Sequence, residues 1–173
     1  MSPSSPKLIM FSLGASSFGT CISTSMSRPG YFGSGAGANV LTGGGNDTFV
    51  IRDVSSRDTI TDYSLTGTNN DSIELRVLYG HGVTTGNISS FVSATRSGLD
   101  AVLRVDLDGA ASGSTFVDAA LLQNFSGNPV KVVIDGTTYT LAVTTATNQP
   151  PTAVTFADAT TSSGHGVSAR PRS

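Results

Sequence analysis

The residues best suited to chemistry are concentrated in one short stretch. Ser34-Gly35-Ala36-Gly37-Ala38-Asn39-Val40-Leu41-Thr42 runs directly into Gly43-Gly44-Gly45-Asn46-Asp47-Thr48-Phe49-Val50. Glycine lets the backbone take positive φ, so that carbonyl oxygens can converge, and an Asp beside such a turn adds a hard anionic oxygen. That combination suits a hard cation. Other chemistries lack their parts. No G-x-S-x-G elbow and no G-K-[ST] phosphate loop occurs. His81 and His165 are far apart and each is flanked by glycine, which reads as loop. Asp106-x-Asp108-Gly109 lacks the third ligand and the closing Glu of an EF-hand, and reads as a turn. No catalytic residue is assigned, and no enzymatic activity is expected.

The two tandem units resemble the nonapeptide G-G-x-G-x-D-x-U-x of the RTX (hemolysin-type) calcium-binding repeat family. Ser34 stands where the first Gly is usual, Asn39 replaces Asp, and the second unit is one residue short. A register starting at Thr42 restores the length but puts Ala38 at the Asp position, so the first register is preferred. The resemblance continues downstream. Asp47-Thr48-Phe49-Val50-Ile51, Asp58-Thr59-Ile60-Thr61-Asp62-Tyr63 and Asp71-Ser72-Ile73-Glu74-Leu75 look like the segment that closes the repeat region. The stretch from Leu99 to Asp108, with Ser114-Thr115-Phe116-Val117-Asp118-Ala119-Ala120-Leu121-Leu122-Gln123-Asn124-Phe125, resembles a type I secretion C-terminal target domain. Together these cover about residues 34–142.

The resemblance implies Ca2+ as a folding ligand, bound between turns. The implied metal-binding residues are Gly35, Gly37, Asn39, Gly43, Gly45 and Asp47, with Asp62 and Asp58 added from the closing segment. It also implies a secreted or cell-surface bacterial protein whose partners are calcium ions and type I secretion machinery. The segment Asn148-Gln149-Pro150-Pro151-Thr152-Ala153-Val154 supports an alternative. It resembles the linker that opens immunoglobulin- or cadherin-like repeats in large bacterial surface adhesins, which would make the chain an interaction module.

Charge narrows the partners further. Between Tyr31 and Thr145 there are eleven acidic residues against six basic ones, a balance that repels nucleic acid and suits cations. No apolar run approaches the roughly 20 residues that span a bilayer. The single cysteine, Cys21, leaves the redox compartment and the oligomeric state open.

The elements that must position these residues read as β. Glu74 is the only Glu, while Thr, Val, Ser and Gly abound, which favours strands joined by turns. Ile73, Leu75 and Val77 share one face opposite Ser72, Glu74 and Arg76. Ala101, Leu103, Val105 and Leu107 point inward, with Arg104, Asp106 and Asp108 outward. Val130, Val132 and Ile134 lead through Asp135-Gly136 into Tyr139, Leu141 and Val143, a hairpin signal. Asn87 to Phe91 reads as one short helix with Asn87 or Ser89 as its cap. The expected fold is mainly β: a short calcium-binding parallel β-roll turn leading into an antiparallel β body with hairpins. Residues 1–30 read as a disordered or irregular lead, 31–145 as the roll end and β body, and 146–173 as a Pro/Ser/Thr-rich tail or linker.

Overall fold

The computed structural model describes residues 29–145, apart from 68, 126 and 128, and two earlier strands. Those two are β1 (Leu8–Phe11) and β2 (Phe18–Ile22). Five short strands follow: β3 (Gly30–Gly33), β4 (Ala38–Thr42), β5 (Thr48–Ile51), β6 (Asp58–Ile60) and β7 (Ser72–Leu75). A 3-10 turn (Arg76–Leu78) and helix α1 (Ile88–Phe91) lead to β8 (Val92–Ser97), β9 (Asp100–Val105) and β10 (Val117–Leu122). The last described strands are β11 (Val130–Ile134), β12 (Thr137–Leu141) and β13 (Val143–Thr145).

These strands form two sheets, ordered β1-β3-β5-β7-β11-β12 and β13-β8-β9-β10-β6-β4-β2. From β1 to β7 the chain alternates between the sheets, and each strand pairs parallel with the one two before it. The strand in the opposite sheet serves as the crossover, and from β3 to β7 each link between strands contains glycine or Asp. Beyond β7 the pairing is antiparallel at β8–β9, β9–β10 and β11–β12. Parallel contacts join β11 to β7, β10 to β6 and β13 to β8. The chain is thus mainly β with mixed parallel and antiparallel sheets. Among the described residues no helix is long and apolar enough to cross a membrane.

The core lies between the sheets and is built from register rows. Phe32, Phe49, Ile73, Val132 and Tyr139 pair in turn across one sheet, and Leu41, Ile60 and Leu122 across the other. All are buried. Phe32 and Phe49 stack with ring centroids 5.6 Å apart. Burying side chains of this size contributes roughly 1.5–3 kcal/mol each.

Several expectations change in detail. The alternation through Ile73 and Leu75 stops there, because Val77 falls in the 3-10 turn. Glu74, expected on an open face, is only 8% exposed. It accepts hydrogen bonds from the hydroxyls of Tyr31 and Tyr79 and from Arg76 Nε at 3.0 Å. Asp106, expected outward, is buried, because it accepts the N–H of Thr115 at 2.7 Å and closes the loop between β9 and β10. Leu107, expected inward, is 40% exposed because β9 ends at Val105. Val143 does not continue the hairpin: the chain changes sheet after Leu141, and Val143 pairs with Ala94. Helix α1 forms where expected, behind Asn87. Inside the segment read as an irregular lead, the structure places β1 and β2. They are parallel partners of β3 and β4, a long-range pairing that the Ser-rich composition does not announce. The proposed tail, 146–173, lies outside the described residues.

Candidate metal centre

The eight residues expected around a cation separate into two groups at the two ends of β4. The first surrounds Asn39, which is 2% exposed. Its Nδ2 donates to the carbonyl oxygens of Gly35 (3.1 Å) and Gly37 (2.9 Å) and to Asp58 Oδ1 (2.9 Å). Its backbone N–H also donates to Asp58 Oδ1, at 2.9 Å. Glycine is needed at 37, where φ is +86°, a conformation costly for any residue with a Cβ. Asp58 sits at the start of β6, which pairs with β4, so parallel register delivers its carboxylate to this turn.

The second group follows β4. Gly43 donates its N–H to both oxygens of Asp62, at 3.1 and 3.0 Å. Asp47 lies beside it: a Cβ at Gly43 would stand 2.6 Å from Asp47 Oδ2 and 2.5 Å from Phe32 Cε2. Gly45, at φ +106°, makes the bend that returns the chain to Asp47. Asp47 Oδ1 accepts the N–H of Gly30 at 2.6 Å. At a strand rise of roughly 3.3 Å per residue, β4 holds the two groups about 13 Å apart.

Sequence reasoning left Asp71 without a role, although its segment was noticed. It is fully buried, and its carboxylate accepts the N–H of Asp47 and of Ser64, each at 2.8 Å. Gly30 was missed as the donor to Asp47. Lys131 was missed too: from β11 its Nζ donates to the backbone and side-chain oxygens of Asn70, at 2.9 and 2.6 Å. The available signal for Asp71 was its position one residue before a strand, which it shares with Asp47.

Electrostatically the turns are short of positive charge. Burial pushes the Asp71 carboxyl up to about 6, and the charges of Asp47 and Asp62 add to that against its two N–H donors. Burial also raises Asp47, opposed by the Gly30 N–H and reinforced by Asp62. Asp62 rises through burial, against the Gly43 N–H. Asp58 rises through burial against its bonds from Asn39, with the Ser34 hydroxyl nearby also opposing the rise and Asp53 adding a little to it. Among the described residues, Asp47 Oδ2 and Asp58 Oδ2 are buried with no hydrogen-bond partner. A buried acceptor left unsatisfied costs roughly 1–3 kcal/mol, more when charged.

Among the described residues no three His, Cys, Asp or Glu side chains converge as a metal cluster. A calcium site draws its oxygens from backbone and amide carbonyls as well as carboxylates, so the donor set here extends beyond side-chain acids. The unsatisfied carboxylate oxygens and the glycine turns beside them fit such an ion. Compared with protein-family models, with curated proteins and with solved structures, the chain matches none.

Proposed function

We propose that the chain is a non-enzymatic calcium-binding module of the RTX, hemolysin-type, kind, secreted or displayed at a bacterial surface. On this reading strands β3 to β7 are a short β-roll that orders around Ca2+ after export through type I secretion machinery. The observation that carries it is Asp47 Oδ2: a buried carboxylate oxygen without a partner, set between glycine turns and beside Asp62. The residues that would hold the ion are Asp47 and Asp62 with the carbonyls of Gly43 and Gly45. At the other end of β4 the corresponding oxygens, of Gly35, Gly37 and Asp58, accept hydrogen bonds from the Asn39 amide. Bound Ca2+ supplies the positive charge that lets buried carboxylates stay ionised.

The chain's own residues do the rest. Asp47, Asp58, Asp62 and Asp71 each fix a backbone N–H from earlier in the chain. Deprived of a counter-charge, these acids repel one another, which favours an open chain where calcium is scarce. Calorimetry and circular dichroism of the metal-free protein titrated with calcium test the proposal. Heat of binding and a gain of β signal are expected, both reduced in Asp47→Asn. Neither heat nor spectral change at millimolar calcium defeats it.

A further inference from the structure

The surroundings of Asn39 go beyond a general calcium reading. Three oxygens, from Gly35, Gly37 and Asp58, converge on the single atom Asn39 Nδ2 at 2.9–3.1 Å. Two are backbone carbonyls and one belongs to a buried carboxylate, the kinds of oxygen that coordinate a hard cation. A side-chain amide nitrogen has two N–H donors and no lone pair to offer, so it engages acceptors much as a small cation does, without the charge. The second oxygen of Asp58 remains buried and without a partner beside it. Among the described residues no comparable donor enters the Gly43 turn, where Gly30 N–H takes one oxygen of Asp47 and leaves the other open.

We propose that the Asn39 amide is a built-in substitute for a divalent cation, so the Gly35–Asn39 turn closes without metal and only the Gly43–Asp47 turn takes calcium. This rests on the calcium reading above for the second turn, but not for the first. Geometry alone specifies the first turn as a latent oxygen site, one atom away from binding an ion. Replacing the amide by a carboxylate keeps the shape, removes the two N–H donors, and leaves four oxygen-bearing groups facing one another.

The experiment compares the metal-free parent with Asn39→Asp, Asn39→Ala and Asn39→Asp/Asp47→Asn, by calcium calorimetry and by melting in EDTA and in excess calcium. The parent is expected to bind one ion per chain, Asn39→Asp two, and the double variant one. In EDTA, Asn39→Asp should melt below the parent and recover in calcium. Asn39→Ala should melt lower in both conditions and keep the parent's stoichiometry. An Asn39→Asp chain that binds no additional ion, or stays unfolded in calcium, overturns the inference. So does a parent that binds two ions and loses one in Asn39→Ala, because Asn39 would then be turning its oxygen to a metal. A parent that binds none, with Asn39→Asp binding one, defeats the proposed function and the role of the second turn, and supports the substitution of a cation by Asn39 in the first.

Discussion

Asp47 gives its backbone N–H to Asp71 Oδ1 at 2.8 Å, so the carboxylate of one turn holds the main chain of the turn before it. Asp71 Oδ2 takes the N–H of Ser64 at the same distance. Asp71→Ala therefore strands two N–H donors inside the protein, at roughly 1–3 kcal/mol each. Chemical denaturation should show the midpoint moving down with no change of slope. A variant as stable as the parent would mean that water reaches both donors.

Acidity should stabilise the metal-free protein. The Asp71 carboxyl is raised to about 6, and Asp47, Asp58 and Asp62 are raised in the same direction. An Asp in an unfolded chain titrates near 3.9. Between those values the folded state holds more protons than the unfolded one, so stability falls as pH rises through the window from about 4 to about 6. In EDTA the melting temperature is expected to be higher at pH 5 than at pH 7. Excess calcium should remove or reverse that order, since the ion replaces the proton. A metal-free protein that gains stability from pH 5 to pH 7 contradicts the assignment of these acids as uncompensated.

Gly43 has no room for a methyl group. A Cβ there would meet Phe32 Cε2 at 2.5 Å and Asp47 Oδ2 at 2.6 Å, disturbing the aromatic stack and the carboxylate together. Gly43→Ala is expected to cost about 1–3 kcal/mol, as overpacking does, and to weaken calcium binding. Gly86→Ala is the control, because nothing lies nearer than 3.9 Å to its Cβ. Equal effects at the two glycines would show that the loss is not steric.

The C-terminal hairpin should be indispensable. Ending the chain after residue 128 removes β11 to β13, and with them buried Val130, Val132, Ile134 and Tyr139. At roughly 1.5–3 kcal/mol each, their burial is comparable to the whole net stability of a domain, about 5–15 kcal/mol. No cooperative melt is expected from that chain. Ending after residue 145 keeps every described strand, and its melting curve in calcium should match the full chain. If the longer truncation melted like the shorter one, the prolines at 150 and 151 would not mark the edge of the folded unit.

What could be read from the sequence was local. Asp135 and Gly136 take φ +48° and +76°, the pair of left-handed residues that a two-residue hairpin demands, and the strands on either side pair as their alternation predicts. Ile73, Leu75, Ala101, Leu103 and Val105 are buried for the same reason. What escaped was set by pairing at long range. Asp71 meets Asp47 across 24 residues, and Glu74 is covered by Tyr31 from 43 residues away. Neither separation leaves a periodic trace in the chain. The eight residues expected at one kind of site proved to be two groups, because β4 runs between them and a strand keeps its ends apart.

The four aspartate contacts all point one way. Asp47, Asp58, Asp62 and Asp71 reach to N–H groups 17 to 24 residues earlier, and none reaches to a later turn. A stack wired in this manner has a polarity, like a polymer with one blocked end. On the far side of β7 growth is stopped: β11 occupies the strand edge and Lys131 brings an ammonium group to Asn70. On the β3 side the two sheets run on through β1 and β2, the parallel partners of β3 and β4, and the chain before Asp47 holds no carboxylate to extend the series. Because each contact joins a carboxylate only to an earlier segment, a whole turn added ahead of Gly30 would leave the contacts after it as they are.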